Sequence, residues 1–439
     1  MPKGTASVTI RGSGAAIIRR LPPSVRALAA RALSILASFA LTIVVARNLP
    51  VEATGSFFVV YTLGAVAASF GRFGIDNLAI KLLGTPGSHR SDLRHGWQLA
   101  GVASVIGGAA FGLALGLLGV HELGGLGVLW AALTVPPQAL AVIAGSILRG
   151  RGRLVWGILA ELGSIPAVAS LAILGAGLVT TLSLDDVVAI FAISAFLSAA
   201  WAVPLAVAAA RANDVADPSG SPPARSGLGG FVAQRWRALS SMMGVSLVYY
   251  SVAWAPILTL TVVGRVADVA WVTIASRLAN FVTLVPAIQV SYLGPQFSDR
   301  YHTGQIPELN QLARRSSRQA LMAVALPAAL LVMGAPWLVG TLYGPEFEAA
   351  APLVSVLAIA ALIVVGLGQV NQLMLICDLE GWALLLSLTV VAVWATLGLW
   401  LAQTEGAWGV VFLAAVGTIV YSIAAAALLH RKRDVRSFV

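Results

Sequence analysis

Along its 439 residues the chain repeatedly runs apolar for about twenty residues and then stops at a short polar turn. At 1.5 Å per residue, each run is long enough as a helix to cross the ~30 Å of hydrocarbon in a bilayer. Inside hydrocarbon every backbone N–H and C=O must find its partner within the protein, and a helix does this within one segment. The runs are about twice the length that a spanning strand needs, which favours helices. Twelve spans are expected, at roughly 26–46, 55–76, 97–119, 126–148, 155–179, 187–210, 240–262, 269–292, 319–342, 349–375, 381–402 and 408–429. Between them stand turn-like stretches such as RNLPVE, HELGG, RGRGR, LSLDD, LYGPEFE and QTEG.

Composition narrows the function classes. Residues are 58% hydrophobic and 10% charged, against roughly a quarter charged in soluble globular chains. The 44 glycines and 20 prolines suit packed or broken membrane helices. A single cysteine, Cys377, excludes an internal disulfide framework and a cysteine-based metal cluster. The start, MPKGTASVTIRGSGAAIIRRLPPSVRALAARAL, is basic and then apolar, and resembles a signal anchor rather than a cleaved signal peptide. RGRGR (149–153) lacks the strand and the Lys-Ser/Thr of a phosphate-binding loop. Asp185–Asp186 is the only acidic pair in an outer loop, and that loop is too short for an enzyme site. No cofactor, no nucleic-acid module and no catalytic constellation is expected.

Charge orients the spans. Of 28 Lys and Arg, three fall inside spans (Arg31, Arg72, Arg277) and two in loops after odd-numbered spans (Arg47, Arg265); the others lie at the termini or after even-numbered spans. Positive residues stay cytoplasmic, so both termini are expected inside, facing anionic membrane lipids. The opposite loops carry acids, among them Glu52, Glu122, Asp268 and Glu405. ICDLEGW (376–382) is out of step: it should be cytoplasmic yet has no Lys or Arg.

The one long break, RANDVADPSGSPPARSGLGG (211–230), has linker composition and lies between spans six and seven. On its two sides VVARNLPVEATGSFFVVYTL (44–63) aligns with VVGRVADVAWVTIASRL (262–278), Arg47 matching Arg265 and Glu52 matching Asp268. Six spans per half keep the same orientation, so the repeat is parallel. The expected organisation is a cytoplasmic segment 1–25, a six-helix bundle 26–210, a linker 211–239, a second bundle 240–429 and a basic tail 430–439. The fold class is an all-α polytopic membrane protein, its twelve transmembrane helices in two parallel-repeat six-helix bundles around a central cavity.

Apart from Arg26 at the very start of the first span, five ionisable residues fall within the spans: Arg31, Arg72, Asp76, Glu161 and Arg277. Such charges face an interior and are candidates for function. Arg277 lies about 14 Å inside its helix. Thr273, Ser276, Arg277, Asn280 and Thr283 recur at three- and four-residue spacing, a polar face that belongs against a wet cavity or a polar neighbour. A diphosphate would offset the cost of the guanidinium through bidentate contacts; the bland alternative is a pair with an acid such as Glu161. Arg31 sits near the start of its helix and can snorkel to the interface. Arg72 and Asp76 are four apart and can pair. Glu161 is a partner for an arginine or a protonatable coupling group. Tyr249, Tyr250 and Trp254 offer rings to sugars or to packing. Three positive charges against two negative favour an anion.

The stretches ARNLPVEATGSFFVVYTLGAV (46–66) and LYGPEFEAAAPLVSVLAIAALI (342–363), with the whole-chain plan of two sixes, resemble the bacterial polysaccharide and O-antigen flippases of the multidrug/oligosaccharidyl-lipid/polysaccharide (MOP) exporter superfamily. The motifs are soft turn and small-residue patterns. The resemblance implies a V-shaped pair of bundles in the bacterial cytoplasmic membrane and a cavity lined by the first two helices of each half. It implies alternating access for a polyprenyl-diphosphate-linked oligosaccharide, alongside a polysaccharide polymerase and glycosyltransferases. Two relatives compete. A drug/cation antiporter of the same superfamily would want an acid in the N-terminal cavity, where the first helix has Arg31. A lipid II flippase usually has two helices after the twelfth, whereas this chain reaches Val439 without them.

Overall fold

Hydrocarbon leaves the chain little choice but helix. The computed structural model describes residues 23–83, 90–117, 122–212 and 227–437, and among the described residues there are helices and turns but no strand. Twelve long helices follow one another: α1 (Pro23–Asn48), α2 (Val51–Arg72), α3 (Arg90–Leu117), α4 (Gly125–Gly150), α5 (Leu154–Gly177), α6 (Leu184–Ala212), α7 (Leu228–Val263), α8 (starting as Val266–Ala279), α9 (Ile306–Leu342), α10 (Ala350–Ile376), α11 (Glu380–Thr404) and α12 (Ala407–Arg433). Eleven of them are long and apolar enough to cross a membrane. In α7 the described apolar stretch is the shorter Trp254–Val263. The chain is a multi-pass membrane protein.

Five helices depart from simple rods; one of them, α10, breaks at Gly368 (φ 87°) between Leu367 and Val370. The expected span 55–76 ends early at Arg72, because Phe73 (φ 48°) and Gly74 (φ 75°) turn left-handed before a short helix, Ile75–Leu83. Glycine tolerates that conformation without a Cβ penalty. α8 tightens into a 3-10 turn at Asn280–Thr283 and continues as Leu284–His302. Pro286 explains the tightening: it has no N–H to give and its ring crowds the carbonyl four residues back. α5 and α11, the fifth helix of each half, each contain a single π turn, Leu159–Gly163 and Trp394–Gly398.

Burial shows how the halves meet. One core cluster joins them: it holds Leu41, Val45, Phe57 and Phe58 from the first half with Leu260, Val269, Val339, Tyr343 and Phe347 from the second. These residues lie toward the end where the acidic loops sit. At the other, basic end the core splits. Ile75, Leu78, Leu82, Ile147 and Leu148 form one cluster with Phe231 and Leu239 of α7. Leu293, Phe297, Leu309, Leu373 and Leu429 form another, with no shared member. Among the described residues the halves thus share one core at the acidic end and have separate cores toward the basic end. α7 straddles them, since its first turns pack on the N-terminal half: Arg235 pairs with Asp92 at 2.5 Å and Trp236 packs on Phe73.

The loop without basic residues borrows them. The carbonyl of Cys377 accepts hydrogen bonds from Arg433 Nε (3.0 Å) and the Tyr301 hydroxyl (3.3 Å), and the Lys432 ammonium lies 5.6 Å from the Trp382 ring centre. This puts 376–382 at the same end as the basic terminus of α12. Cys377 itself is fully buried, and burial pushes its thiol up to about 11.

Candidate functional site

A deep arginine requires a counter-charge, water or a ligand. Arg277 comes eleven residues after Val266, the first residue of α8. That is ~17 Å along the helix, about half of a ~30 Å hydrocarbon layer. Among the described residues no carboxylate lies within ion-pair distance of it. Its guanidinium carbon instead sits 5.7 Å from the ring centre of Tyr61, on α2 of the opposite half. A cation–π contact holds the guanidinium by its face and leaves the N–H edge free to grip an acceptor. The Tyr61 ring stacks on Trp254 of α7 (6.1 Å, interplanar 11°) and packs against Phe191 of α6.

Tyr61 escaped the sequence reading, although a signal for it exists. It stands nine residues beyond Glu52, as Arg277 stands nine beyond Asp268, and those acids are the matched pair of the repeat. Arg277 and Tyr61 thus occupy matching positions and meet across the seam.

The other expected site residues separate. Thr273 is buried, with a hydroxyl that has no partner among the described residues, while Ser276 is half-buried and Asn280 exposed at the start of the 3-10 turn. The Thr283 hydroxyl donates to the carbonyl of Asn280 (2.9 Å). Along the expected polar stripe Thr273 is thus buried, Ser276 and Arg277 are half-buried and Asn280 is exposed, with the backbone changing pitch at Asn280. Arg72 is buried and pairs with Asp76 at 3.2 Å. The pair spans the helix break rather than lying on one helix face. Glu161 pairs at 2.7 Å with Arg149, in the last turn of α4, not with Arg277. Arg31 is exposed on α1 and has no carboxylate within ion-pair distance among the described residues. Arg149, Arg72, Asp76 and Arg31 all lie within electrostatic range of Glu161, so the N-terminal half gathers its charges into one cluster. Trp254 packs as described, while the side chains of Tyr249 and Tyr250 lie outside the described residues, as do 1–22 and 213–226 of the two segments expected in the cytoplasm.

The acidic end of the seam is latched. The Thr42 hydroxyl and the Tyr343 hydroxyl are 3.1 Å apart, and burial pushes the phenol up to about 12, so it stays protonated. Arg47 Nε donates to the carbonyl of Leu342 (2.9 Å), and its Nη2 donates to that of Thr341. These are the last carbonyls of α9, the negative end of its dipole. Nearer mid-depth, Phe39 meets Phe281 edge to face at 4.9 Å. At Gly55 a Cβ would collide with the carbonyl oxygen of Val266, so the two second helices touch backbone to backbone there.

Twelve helices in two joined sixes, with a charged residue at mid-depth, make a fold that solved structures share. The chain matches the lipid II flippase MurJ in an inward closed conformation with a TM-score of 0.65 at 12% identity, covering 93% of this chain and 87% of that one. It matches the MATE multidrug transporter DinF-BH at 0.63 and 16% identity, covering 98% and 99%. A mutant of the Vibrio cholerae MATE transporter VcmN gives 0.56 at 17% identity, covering 95% and 98%. At such identities the likeness is one of fold. No family model and no curated protein sequence matches the chain.

Proposed function

We propose that this protein is a flippase that carries a polyprenyl-diphosphate-linked oligosaccharide from the inner to the outer leaflet of the cytoplasmic membrane by alternating access, for cell-surface polysaccharide export. One observation carries the reading: the mid-depth charge without a carboxylate partner among the described residues is an arginine, whereas both acids within the expected spans, Asp76 and Glu161, are paired with arginines. A diphosphate offers the bidentate acceptor that Arg277 lacks, and Ser276 stands beside it. Arg31, exposed on α1, is the second contact on entry from the basic end. With the termini inside, a seam parted at the basic end is the loading state. An inside-negative potential would help expel the cargo, by ~2.3 kcal/mol per charge per 100 mV.

The cation-antiporter reading needs a free acid in the cavity and finds both committed to arginines. The test is made on the purified protein in proteoliposomes. A fluorescent short-chain polyprenyl-diphosphate glycan should reach the far leaflet, faster with an inside-negative potential, while a cationic dye should not accumulate. Dye exchange without lipid movement would reverse the assignment.

A further inference from the structure

α10 breaks close to the basic face. Gly368 comes eighteen residues after Ala350, the first residue of α10. That is ~27 Å along the helix, at the edge of a ~30 Å hydrocarbon layer. A broken helix leaves carbonyls and N–H groups without helical partners, and hydrocarbon supplies none. Leu367 is the last residue before the break, and its carbonyl is paired from outside α10: the Ser437 hydroxyl donates to it at 3.0 Å. Just past the break, Gln369 Nε2 donates to Gln289 Oε1 (3.3 Å) on the continuation of α8.

Ser437 reaches the break because the stretch expected as a basic tail folds back. α12 ends at Arg433, and Asp434 turns left-handed (φ 53°). The Asp434 N–H returns to the carbonyl of His430 (3.0 Å) and that of Val435 to Leu429 (3.3 Å), a common way to close a helix. Asn310 of α9 then holds the backbone on both sides of Val435. Its Nδ2 donates to the Asp434 carbonyl (3.0 Å), and its Oδ1 accepts the Arg436 N–H (2.7 Å). Val435 is fully buried among Leu293, Phe297, Leu309 and Leu373. Ser437 is buried as well, and its carbonyl accepts from the Ser317 hydroxyl of α9 (2.8 Å). Tail and break are in contact: a Cβ at Gly368 would lie 2.7 Å from the Ser437 carbonyl oxygen.

A glycine at positive φ inside a long helix has the geometry of a hinge, yet this one is tied down. Ordinary closure of α12 accounts for Asp434 and Val435. It does not account for the side chains that grip Arg436 and Ser437, nor for a hydroxyl delivered to the orphan carbonyl of another helix. We propose that residues 434–437 are a strap that locks the α10 break, so that α9, α10 and α12 form one rigid block at the basic end. The lock places movement at that end between the halves rather than at Gly368. The N-terminal half needs no such strap, because α4, the counterpart of α10, runs as one helix from Gly125 to Gly150. The strap does not depend on what the protein carries.

The test is hydrogen–deuterium exchange of the full chain in detergent, compared with a chain that stops after Arg433. Without the strap, exchange in peptides over the α10 break should rise by about tenfold or more, since several bonds and a buried valine are lost together. Ser437→Ala alone should raise it by about fivefold, the worth of one ordinary hydrogen bond. Asn310→Ala should raise it less, because Asn310 is only half-buried. Peptides from α1 to α6 should be unchanged in all three. A second readout uses spin labels at Ile363→Cys and Leu375→Cys, exposed on either side of the break. Their distance should be narrow in the full chain and broad in the shortened one. The inference fails if exchange over the break and the label distance are unchanged without the strap, or if exchange rises equally in the N-terminal half. Should the shortened chain not fold, unchanged exchange in both single variants overturns the inference.

Discussion

The two halves treat charge within the membrane in opposite ways. The N-terminal half pairs its deeper charges, Arg72 with Asp76 and Arg149 with Glu161, and leaves only the exposed Arg31 without a carboxylate among the described residues. The C-terminal half has one deep charge, Arg277, and rests it on a tyrosine ring of the other half. Isolated charge in hydrocarbon costs about 2.5–3.5 kcal/mol on insertion scales. Pairing offsets that cost permanently and makes structure. On the proposed reading, leaving the arginine without a carboxylate keeps the cost until a ligand brings the counter-charge, and the same repeat serves once as scaffold and once as receptor.

If the N-terminal pairs are scaffold, breaking one should damage folding. Asp76→Ala leaves the buried Arg72 guanidinium without its carboxylate and should lower stability by about 3 kcal/mol, seen as a large fall in Tm. The double change Arg72→Ala/Asp76→Ala should recover much of it. An Asp76→Ala protein that is stable but inactive would move this pair into the site.

The seam offers a middle-sized test. Gly55→Ala forces a Cβ against the Val266 carbonyl, and overpacking of this kind costs about 1–3 kcal/mol. The cost falls only on the sealed state, so distances between spin labels across the acidic end should lengthen while the fold persists. Unchanged distances would show that the seam is not the moving part. A smaller shift is expected of Tyr343→Phe, which loses the contact with Thr42 and about 1 kcal/mol of latch.

The smallest effect concerns orientation. Cys377 is buried and its thiol is raised to about 11, so at pH 8 it stays protonated and should be silent to thiol reagents from either side. Its silence would say nothing about topology, but it lets new cysteines be read without removing the native one. Gln403→Cys, exposed at the acidic end, should react with an impermeant reagent in intact cells, and Glu380→Cys, exposed near the basic end, should not. The reverse pattern would invert the protein and the proposed direction of transport.

The spans were legible because apolar length is a local property: α4 was expected at 126–148 and runs Gly125–Gly150, and α12 was expected at 408–429 and runs Ala407–Arg433. The breaks were less so. GRFGIDN reads as helix by hydropathy until Phe73 and Gly74 turn left-handed, and Pro286 acts on the turn before it. Partnerships were hardest. Arg149 reads as a loop residue in RGRGR yet reaches Glu161, and Tyr61 meets Arg277 only because two helices from different halves present matching faces. Helix rotation decides such meetings, and one sequence records rotation only faintly, in spacings such as the nine residues from Glu52 to Tyr61 and from Asp268 to Arg277.

The central claim is that Arg277, on the Tyr61 ring and without a carboxylate among the described residues, is left for a phosphate to pair with. Its most direct test is the rate at which Arg277→Ala and Arg277→Lys move a polyprenyl-diphosphate glycan in proteoliposomes, read together with their Tm. The account predicts that Arg277→Ala abolishes transport with Tm unchanged or slightly raised, since removing a charge without a carboxylate partner relieves a desolvation cost. Arg277→Lys should restore only part of the rate, because lysine keeps the charge but not the planar fork. Transport that survives Arg277→Ala, or is lost together with a marked fall in Tm, would contradict it.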